Sequence, residues 1–187
     1  VDYNEVYNLS DGEYTVMLNN ELTDLRAIDD GQGHVYMDVN TANSRFNSRI
    51  YWEQDTNTIL YATPEGMSEN TTGSTDYTVG TSILTSEIPV VIDRDGMLYI
   101  SMDFIKENTK MDCEVYTDPN RLVIRTKWGT ASVATVTAKK ADIRYQGGIK
   151  SPIFRKLTKG EKLYVIDDGA GDEWALVVSE DGYYGWV

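Results

Sequence analysis

Alternating apolar and polar positions recur along most of the chain and predict short β-strands joined by tight turns. The pattern is clearest in two hairpins, where segments 50–52 and 59–61 flank one turn and segments 113–115 and 122–124 flank another. The turns themselves contain Asp, Asn and Pro, which favour turns through local side-chain bonds, left-handed backbone and fixed φ. Segment 64–76 is polar and contains glycine, and we expect a loop there.

A helical pattern replaces the alternation in segment 102–108. Met102, Ile105 and Phe104 are expected to face inward, and Ser101 just before them is a favourable N-cap. Asp38 holds the equivalent position in an earlier segment with a weaker helical pattern.

The chain repeats itself at an offset of 63 positions, the distance from Tyr36 to Tyr99, and Asp55 matches Asp118 in the same register. Such self-similarity indicates a duplication. We therefore predict two strand-helix-hairpin units, at about 14–63 and 77–126, that build an α+β N-terminal domain over residues 1–127.

The last third changes character and shows no helical pattern. Short strands are predicted at 132–137, 142–145, 162–166, 174–178 and 183–187, separated by Gly-Gly, Ser-Pro, Lys-Gly and Asp-Gly turns. Five short strands in this length predict an all-β small barrel over residues 128–187, with the boundary at 127–129.

The net charge of −13 is concentrated in the first part of the chain. Residues 1–127 hold 9 basic and 22 acidic side chains, whereas residues 128–187 hold 8 of each. Nucleic acid is a poor partner for this surface, because binding requires Lys and Arg to displace counterions from phosphate. No apolar run approaches the ~20 residues of a membrane span, and we expect any targeting segment to have been removed before Val1.

Cysteine and histidine occur once each, as Cys113 and His34. These counts exclude a Cys/His zinc site, an HExxH motif and a thiol redox pair within this sequence, and we predict neither a metal nor a cofactor. Cys113 is expected to be a small buried residue of a strand, and His34 an exposed loop residue.

The final segment resembles a bacterial SH3-like (SH3b) domain. The resemblance rests on 141–144 (ADIR), 157–160 (LTKG), 161–165 (EKLYV), 174–177 (WALV) and the closing 182–187 (GYYGWV). ADIR departs from the usual LNVR of that family. The resemblance implies an SH3-like small barrel.

The duplicated part is similar to the stalk domain, also called the copper amine oxidase N-terminal-like domain, of Gram-positive surface proteins. Segment 98–107 (LYISMDFIKE) carries this resemblance, and the first copy is more degraded. The family name mentions copper, but a single His does not build a copper site.

A stalk domain followed by an SH3b domain resembles the N-terminal region of clostridial family-18 glycoside hydrolases. Their catalytic signature, DxxDxDxE, is absent from these residues. The resemblance implies an extracellular, wall-associated, non-catalytic region, with the catalytic domain as a partner in the same polypeptide.

Paired carboxylates are candidates for glycoside hydrolysis only by residue type. Asp29–Asp30, Asp93 with Asp95, and Asp167–Asp168 all lie in Gly-flanked turns, where Asp is common for structural reasons. Segment 167–173 has the carboxylates and glycines of a calcium loop but lacks its spacing, which favours a solvated hairpin loop and leaves a weak calcium site open.

Aromatic side chains are the stronger candidates for binding. Tyr145, Trp174, Tyr183 and Tyr184 come from three predicted strands that could form one groove for a sugar ring or a peptide stem, and Tyr145 with one of Tyr183 and Tyr184 are the preferred ligand side chains. Alternation places Tyr183 on the face opposite Tyr184 and Trp186, so that they are not all ligands. A structural role for Trp174 and Trp186 in the core is the alternative.

Lys150 begins a run of basic side chains that continues through 155, 156, 159 and 162. This run is the receptive surface for an anionic wall polymer, and a solvated strand face explains it equally well.

Three functions follow as hypotheses. The first is a non-catalytic module that binds cell-wall polymer, peptidoglycan or another glycan and positions an attached glycoside hydrolase. The second is a structural spacer or protein-interaction module with no ligand of its own. A standalone carboxylate hydrolase is the least favoured.

Overall fold

The computed structural model describes residues 3–46, 50–63, 66–108, 111–125 and 132–187, and within them the protein is mostly β. The helical segments are α1 (Tyr3–Val6), α2 (Val39–Thr41), which continues as a π-helical turn (Ala42–Phe46), and α3 (Met102–Asn108). The first ten strands are β1 (Glu13–Leu18), β2 (Glu21–Asp29), β3 (Val35–Asp38), β4 (Ile50–Glu53), β5 (Thr58–Thr63), β6 (Gly66–Thr71), β7 (Asp76–Val79), β8 (Ser82–Thr85), β9 (Val91–Arg94) and β10 (Met97–Ser101). The remaining strands are β11 (Asp112–Tyr116), β12 (Arg121–Arg125), β13 (Ser132–Thr135), β14 (Lys140–Arg144), β15 (Ile153–Thr158), β16 (Lys162–Asp167), β17 (Leu176–Ser179) and β18 (Tyr184–Trp186).

The chain divides into two compact units, of which one is continuous in sequence and the other is made of two separate segments. One unit, here called the inserted unit, is residues 27–111, and the other, the split unit, joins residues 1–26 to residues 112–187. Strand β2 passes from the split unit into the inserted unit at residues 26 and 27. The domain boundary predicted at 127–129 lies outside the described residues, and the division into 1–127 and 128–187 stays a prediction.

Within the inserted unit, equivalent strands of the two predicted repeats pair with each other. Strand β3 pairs antiparallel with β10, with Tyr36 opposite Ser101 and Asp38 opposite Tyr99. Tyr36 corresponds to Tyr99 and Asp38 to Ser101 in the repeat, so the pairing is symmetric about Met37 and Ile100. Both central side chains are fully buried.

The short helices begin where the sequence predicts. Asp38 accepts hydrogen bonds from the backbone N–H groups of Asn40 and Thr41 at the start of α2. Ser101 Oγ accepts one from the N–H of Phe104 at the start of α3. The three apolar side chains predicted to face inward from α3 are buried, and Phe104 makes edge-on ring contacts with Tyr61 and Tyr77. The helices are short, so the N-terminal part has fewer helical residues than the predicted α+β class suggests.

The loop predicted for 64–76 is wrong for Gly66–Thr71, which forms strand β6 between β5 and β7, whereas residues 72–75 do form the turn that connects β6 to β7. The strands β4-β5-β6-β7-β8 follow one another in a five-stranded antiparallel sheet. Strand β6 buries Ser68 and Asn70 instead of apolar side chains, and Asn70 Nδ2 donates to Ser68 Oγ and to the carbonyl of Ile59. The two hydrogen bonds donated by Nδ2 make this polar side chain tolerable in a buried face, so a search for apolar residues does not reveal the strand.

In the split unit, β12 lies between two strands of different direction. It pairs in parallel with β1, Thr15 opposite Arg121, and antiparallel with β11, Cys113 opposite Ile124. Strand β2 follows β1 in the same sheet. Cys113 is buried, as expected. The hairpin β11–β12 forms around 117–120 as predicted from its Asp, Pro and Asn residues.

The C-terminal region of the split unit is an all-β sheet of six strands in the order β13-β16-β17-β18-β14-β15. Five match the predicted strands within a few residues. Strand β15 was not predicted from the sequence, because its charged residues Arg155 and Lys156 interrupt the apolar pattern. Of the residues in this strand, only Leu157 is fully buried. The core of this sheet consists of Val136, Ile143, Leu157, Leu163 and Val177, with Tyr183 among the partly buried side chains against it. Burial of each such side chain stabilises the fold by about 1.5–3 kcal/mol.

Candidate functional site

An open cleft lies at one end of the six-stranded sheet. It measures about 340 Å3 and is lined by Gly147, Asp172, Glu173, Trp174 and Trp186. Trp186 pairs across the strands with Leu176, which makes Trp174 its diagonal neighbour on the same face. Two backbone hydrogen bonds between Ala175 and Val187, of 3.0 and 2.9 Å, fix the chain beside both indoles.

One wall of the cleft is the loop 145–151, which carries Gly147. A Cβ at Gly147 would lie 3.1 Å from Cγ of Trp174, so the glycine allows the backbone to approach the indole closely. Arg144 holds the loop by donating from Nη1 to the carbonyls of Ile149 and Ser151 at 3.0 and 2.8 Å. The N–H of Gln146 donates to Ser151 Oγ at 2.8 Å. These hydrogen bonds hold the loop in a defined conformation.

The acidic loop 167–173 also lines the cleft, through Asp172 and Glu173. Asp167 and Asp168 accept hydrogen bonds from the N–H groups of Gly169 and Ala170, at 2.9 and 3.0 Å, and so close the turn. The N–H of Asp172 donates to the carbonyl of Gly169 at 2.6 Å. The side chains of Asp172 and Glu173 are exposed and line the cleft.

Tyr145 and Lys150 lie on the first of these loops but do not line the cleft. Tyr145 is 44% exposed, and its ring contacts Phe154 edge-on at 5.7 Å. Lys150 is exposed beside Ile149, an apolar side chain that is itself 80% exposed. Both remain accessible to a large ligand that extends beyond the cleft.

Tyr184 packs inside the split unit instead. It lies against a cluster formed by Met17 of β1, Val123 of β12 and Val178 of β17, which we call the junction cluster. Burial raises the pKa of Tyr184, with the nearby charge of Glu21 adding to the shift. The cluster joins the six-stranded sheet to the strands that begin and end the N-terminal part.

Tyr183 is engaged on the other face, as alternation predicts. Its ring lies 4.3 Å from the guanidinium carbon of Arg121, and Tyr116 covers the same guanidinium at 5.0 Å. Arg121 is only 3% exposed, and its Nε and Nη1 donate to the carbonyls of Asp181 and Pro119 at 2.7 and 2.6 Å. A buried guanidinium with aromatic faces and carbonyl acceptors is well compensated.

Asp181 completes this junction. Its carboxylate accepts from Ser179 Oγ at 2.6 Å and from Nε of Arg155 at 3.0 Å. Burial acts to raise the pKa of Asp181, but these hydrogen bonds and the charges of Arg155 and Arg121 outweigh it and hold the pKa below its usual value. Arg155 also bonds Glu161 at 2.7 Å, so this member of the predicted basic run is paired within the protein.

The five predicted ligand side chains are thus not gathered at one place. Trp174 lines the cleft, Tyr145 and Lys150 lie on the wall loop 145–151 without lining the cleft themselves, and Tyr183 and Tyr184 face the junction. The sequence did not reveal Trp174 and Trp186 as diagonal neighbours that line one cleft, although the Asp-Gly turn at 181–182 fixes a hairpin register that brings them together. Whether these residues bind a ligand stays a prediction.

A second cleft, of about 300 Å3, lies in the inserted unit. It is lined by His34, Thr85, Ser86, Glu87, Ile88, Ser101, Asp103, Phe104 and Glu107. His34 is half-buried, and its Nδ1 lies 2.8 Å from Oδ2 of Asp30. Tyr36 donates to the carbonyl of Pro89, and burial raises its pKa to about 12, with Asp30 and Asp103 contributing.

The carboxylates considered for hydrolysis accept hydrogen bonds from backbone N–H groups of the turns in which they lie. Asp29 Oδ1 accepts from the N–H groups of Gly31 and Gly33, and Asp30 Oδ1 from those of Gln32 and His34. Burial acts to raise the pKa of Asp30, but these bonds and the imidazole outweigh it and lower the pKa. Asp93 similarly accepts from the N–H of Gly96.

Among the described residues, no group of three His, Cys, Asp or Glu side chains is arranged to hold a metal ion. In the same ranges, no helix has the length and apolarity needed to cross a membrane.

The chain belongs to the copper amine oxidase N-terminal domain family, whose model matches residues 15–126. Domains of this type are typically non-catalytic modules of surface or secreted proteins, and the match extends to no catalytic domain. The all-β C-terminal region follows the matched segment. Comparison with curated proteins and with solved structures found no match for the chain.

Proposed function

We propose that the chain is a non-catalytic cell-surface region that binds a cell-wall polymer, peptidoglycan or another glycan and positions an attached glycoside hydrolase. Binding through the C-terminal sheet raises the local concentration of substrate for a linked enzyme without any contact at the reacting bond. In this proposal the region is extracellular, and the C-terminal sheet is an SH3-like module. Membership in the copper amine oxidase N-terminal domain family supports the surface location.

The observation that carries the proposal is the cleft between Trp174 and Trp186. Indole side chains supply large apolar faces that pack against sugar rings and peptide stems. Both walls of the cleft are held by hydrogen bonds within their own loops, so little conformational entropy is lost when a ligand enters.

Sedimentation with insoluble peptidoglycan, chitin and wall polymer tests the proposal. We expect the chain to sediment with at least one of them at low and at moderate salt. Trp174→Ala is expected to weaken retention about tenfold. Trp52→Ala is the matched control, because Trp52 is a partly exposed indole of the inserted unit that does not line the cleft, and it is expected to leave retention unchanged.

An unfolding curve for each variant establishes that it is folded. If Trp174→Ala unfolds, Gly147→Val serves instead, because the added side chain presses on Trp174 and narrows the cleft. Absence of retention on all three polymers would refute the binding proposal.

A structural spacer is the second candidate function, and the junction favours it. Tyr183 and Tyr184, two of the predicted ligand side chains, pack against Arg121 and the junction cluster. This fixes the C-terminal sheet to the flanking strands of the split unit, as a spacer of defined geometry requires. The same sedimentation experiment separates the two functions, since a spacer is retained on none of the polymers.

A further inference from the structure

We infer that the cleft between Trp174 and Trp186 binds a primary ammonium group at the end of an aliphatic peptide side chain. The inference rests on the proposed binding function and specifies the class of ligand. It departs from the anionic polymer suggested by the basic run that begins at Lys150.

Charge is the first reason. The described residues that line the cleft include two carboxylates, Asp172 and Glu173, and no basic side chain. No residue in the described part of the chain forms a side-chain hydrogen bond or an ion pair with either carboxylate. Two carboxylates beside a binding surface favour a cation and disfavour a phosphate or carboxylate ligand.

Aromatic chemistry is the second reason. The faces of Trp carry negative potential and attract a cation more strongly than those of Tyr or Phe. The same faces offer apolar area to methylene groups. A ligand that joins a methylene stem to an ammonium group uses the indoles and the carboxylates together, whereas a neutral sugar ring leaves the carboxylates without a partner.

Size is the third reason. A volume of about 340 Å3 is at the lower end of the range for small-molecule sites. It accommodates one side chain or one ring, and a longer polymer passes over the opening. The cleft therefore recognises a single charged group that recurs along a polymer of the wall.

The carboxylates are also presented in a defined way. Asp167 and Asp168 close the loop through hydrogen bonds with its backbone, and the next acidic pair, Asp172 and Glu173, lines the cleft together with Gly147. Asp167 and Asp168 thus accept the hydrogen bonds that close the turn, whereas Asp172 and Glu173 line the cleft.

Titration with Nα-acetyl-lysine N-methylamide, followed by Trp fluorescence, tests the inference. We expect a saturable change with a dissociation constant on the order of millimolar, because one side chain buries little area. Nα-acetyl-norleucine N-methylamide has the same stem without the ammonium group, and it is expected to bind at least fivefold more weakly. Raising the salt concentration should weaken binding of the lysine probe only.

Two substitutions at the rim localise the effect. Asp172→Asn and Glu173→Gln are expected to weaken the lysine probe about two- to fivefold each, as expected for a partly exposed ion pair. Glu180→Gln removes one exposed carboxylate of the same unit away from the cleft and should leave the probe's affinity unchanged.

Three outcomes would overturn the inference: equal binding of the lysine and norleucine probes, tighter binding of the neutral sugar methyl N-acetylglucosaminide than of the lysine probe, or rim variants that bind like the wild type. If the chain still sediments with a wall polymer, the proposed function survives and only the ligand class is wrong. If the lysine probe binds and no polymer retains the chain, the cleft binds cations but the wall-binding function fails.

Discussion

Gly182 lies in the turn between β17 and β18, directly against Val123 of β12. Its φ of +80° belongs to the left-handed region, and a Cβ at this position would overlap Cγ2 of Val123. The glycine of the Asp-Gly turn therefore serves two purposes. It closes the hairpin, and it lets the hairpin approach the strand beside it.

Replacing Gly182 with Ala is expected to lower the free energy of unfolding by about 2–4 kcal/mol, of which about 1–2 comes from the left-handed backbone and the rest from overpacking against Val123. Gly160→Ala is the matched control. Gly160 has φ of +95°, and a Cβ added there would meet no atom within 4 Å, so only the backbone cost of about 1–2 kcal/mol applies. Equal losses for the two variants, measured by urea unfolding, would show that Gly182 makes no close contact.

Asp181, the neighbour of Gly182, gives the junction a dependence on pH. Its pKa is lowered below the ordinary value of 3.8. Its contribution to stability is therefore fully present above about pH 4 and is lost as pH falls through the lowered pKa. Asp181→Asn is expected to cost about 1 kcal/mol at pH 7, because the carboxylate is partly exposed and screened.

The difference between wild type and Asp181→Asn should shrink when urea unfolding is repeated at pH 5, 4 and 3. Asp24→Asn removes an exposed carboxylate of the same unit and should cost little at any of these pH values. A cost for Asp181→Asn that stays constant down to pH 3 would contradict the role given to its ionised form.

At the scale of elements, the strands and caps that follow local rules were predictable from the sequence. Asp38 and Ser101 are recognisable as N-caps because equivalent positions of a repeat precede helical patterns, and both accept the expected backbone bonds. The hairpins around 54–57 and 117–120 form for the same local reason, since turn residues separate alternating segments. Local chemistry sufficed for these features.

Other elements depend on contacts that the sequence does not display. Strand β6 buries Ser68 and Asn70, whose mutual hydrogen bond makes a polar pair acceptable in the interior. Tyr183 and Tyr184 are candidates for a groove by sequence, but residues more than 60 positions away along the chain, such as Arg121, contact them. Only the tertiary pairing decides whether such an aromatic side chain faces solvent or another strand.

Ser101→Ala tests the cap of α3. We expect a loss of about 1 kcal/mol, because the N–H of Phe104 loses its acceptor in a buried setting. Ser82→Ala changes an exposed Ser of strand β8 and should alter the unfolding midpoint much less. A loss equal to that of the control would mean that the cap contributes nothing to stability.

At the scale of the whole molecule, the copper amine oxidase N-terminal domain and the C-terminal sheet occur in one chain and contribute different structural features to it. The matched family segment, residues 15–126, contributes both to the inserted unit and to the strands of the split unit. The C-terminal sheet supplies the aromatic cleft. The proposed function assigns wall binding to this cleft and the surface location to the family domain.

The most direct test of this account is the response of the indole N–H groups to solubilised peptidoglycan fragments, observed by 1H–15N NMR of the chain. The account predicts that the Nε1–H signals of Trp174 and Trp186 shift progressively and saturably, while that of Trp52 stays in place. Shifts at Trp52 alone, or no shift at Trp174 and Trp186 when the chain sediments with intact peptidoglycan, would contradict it.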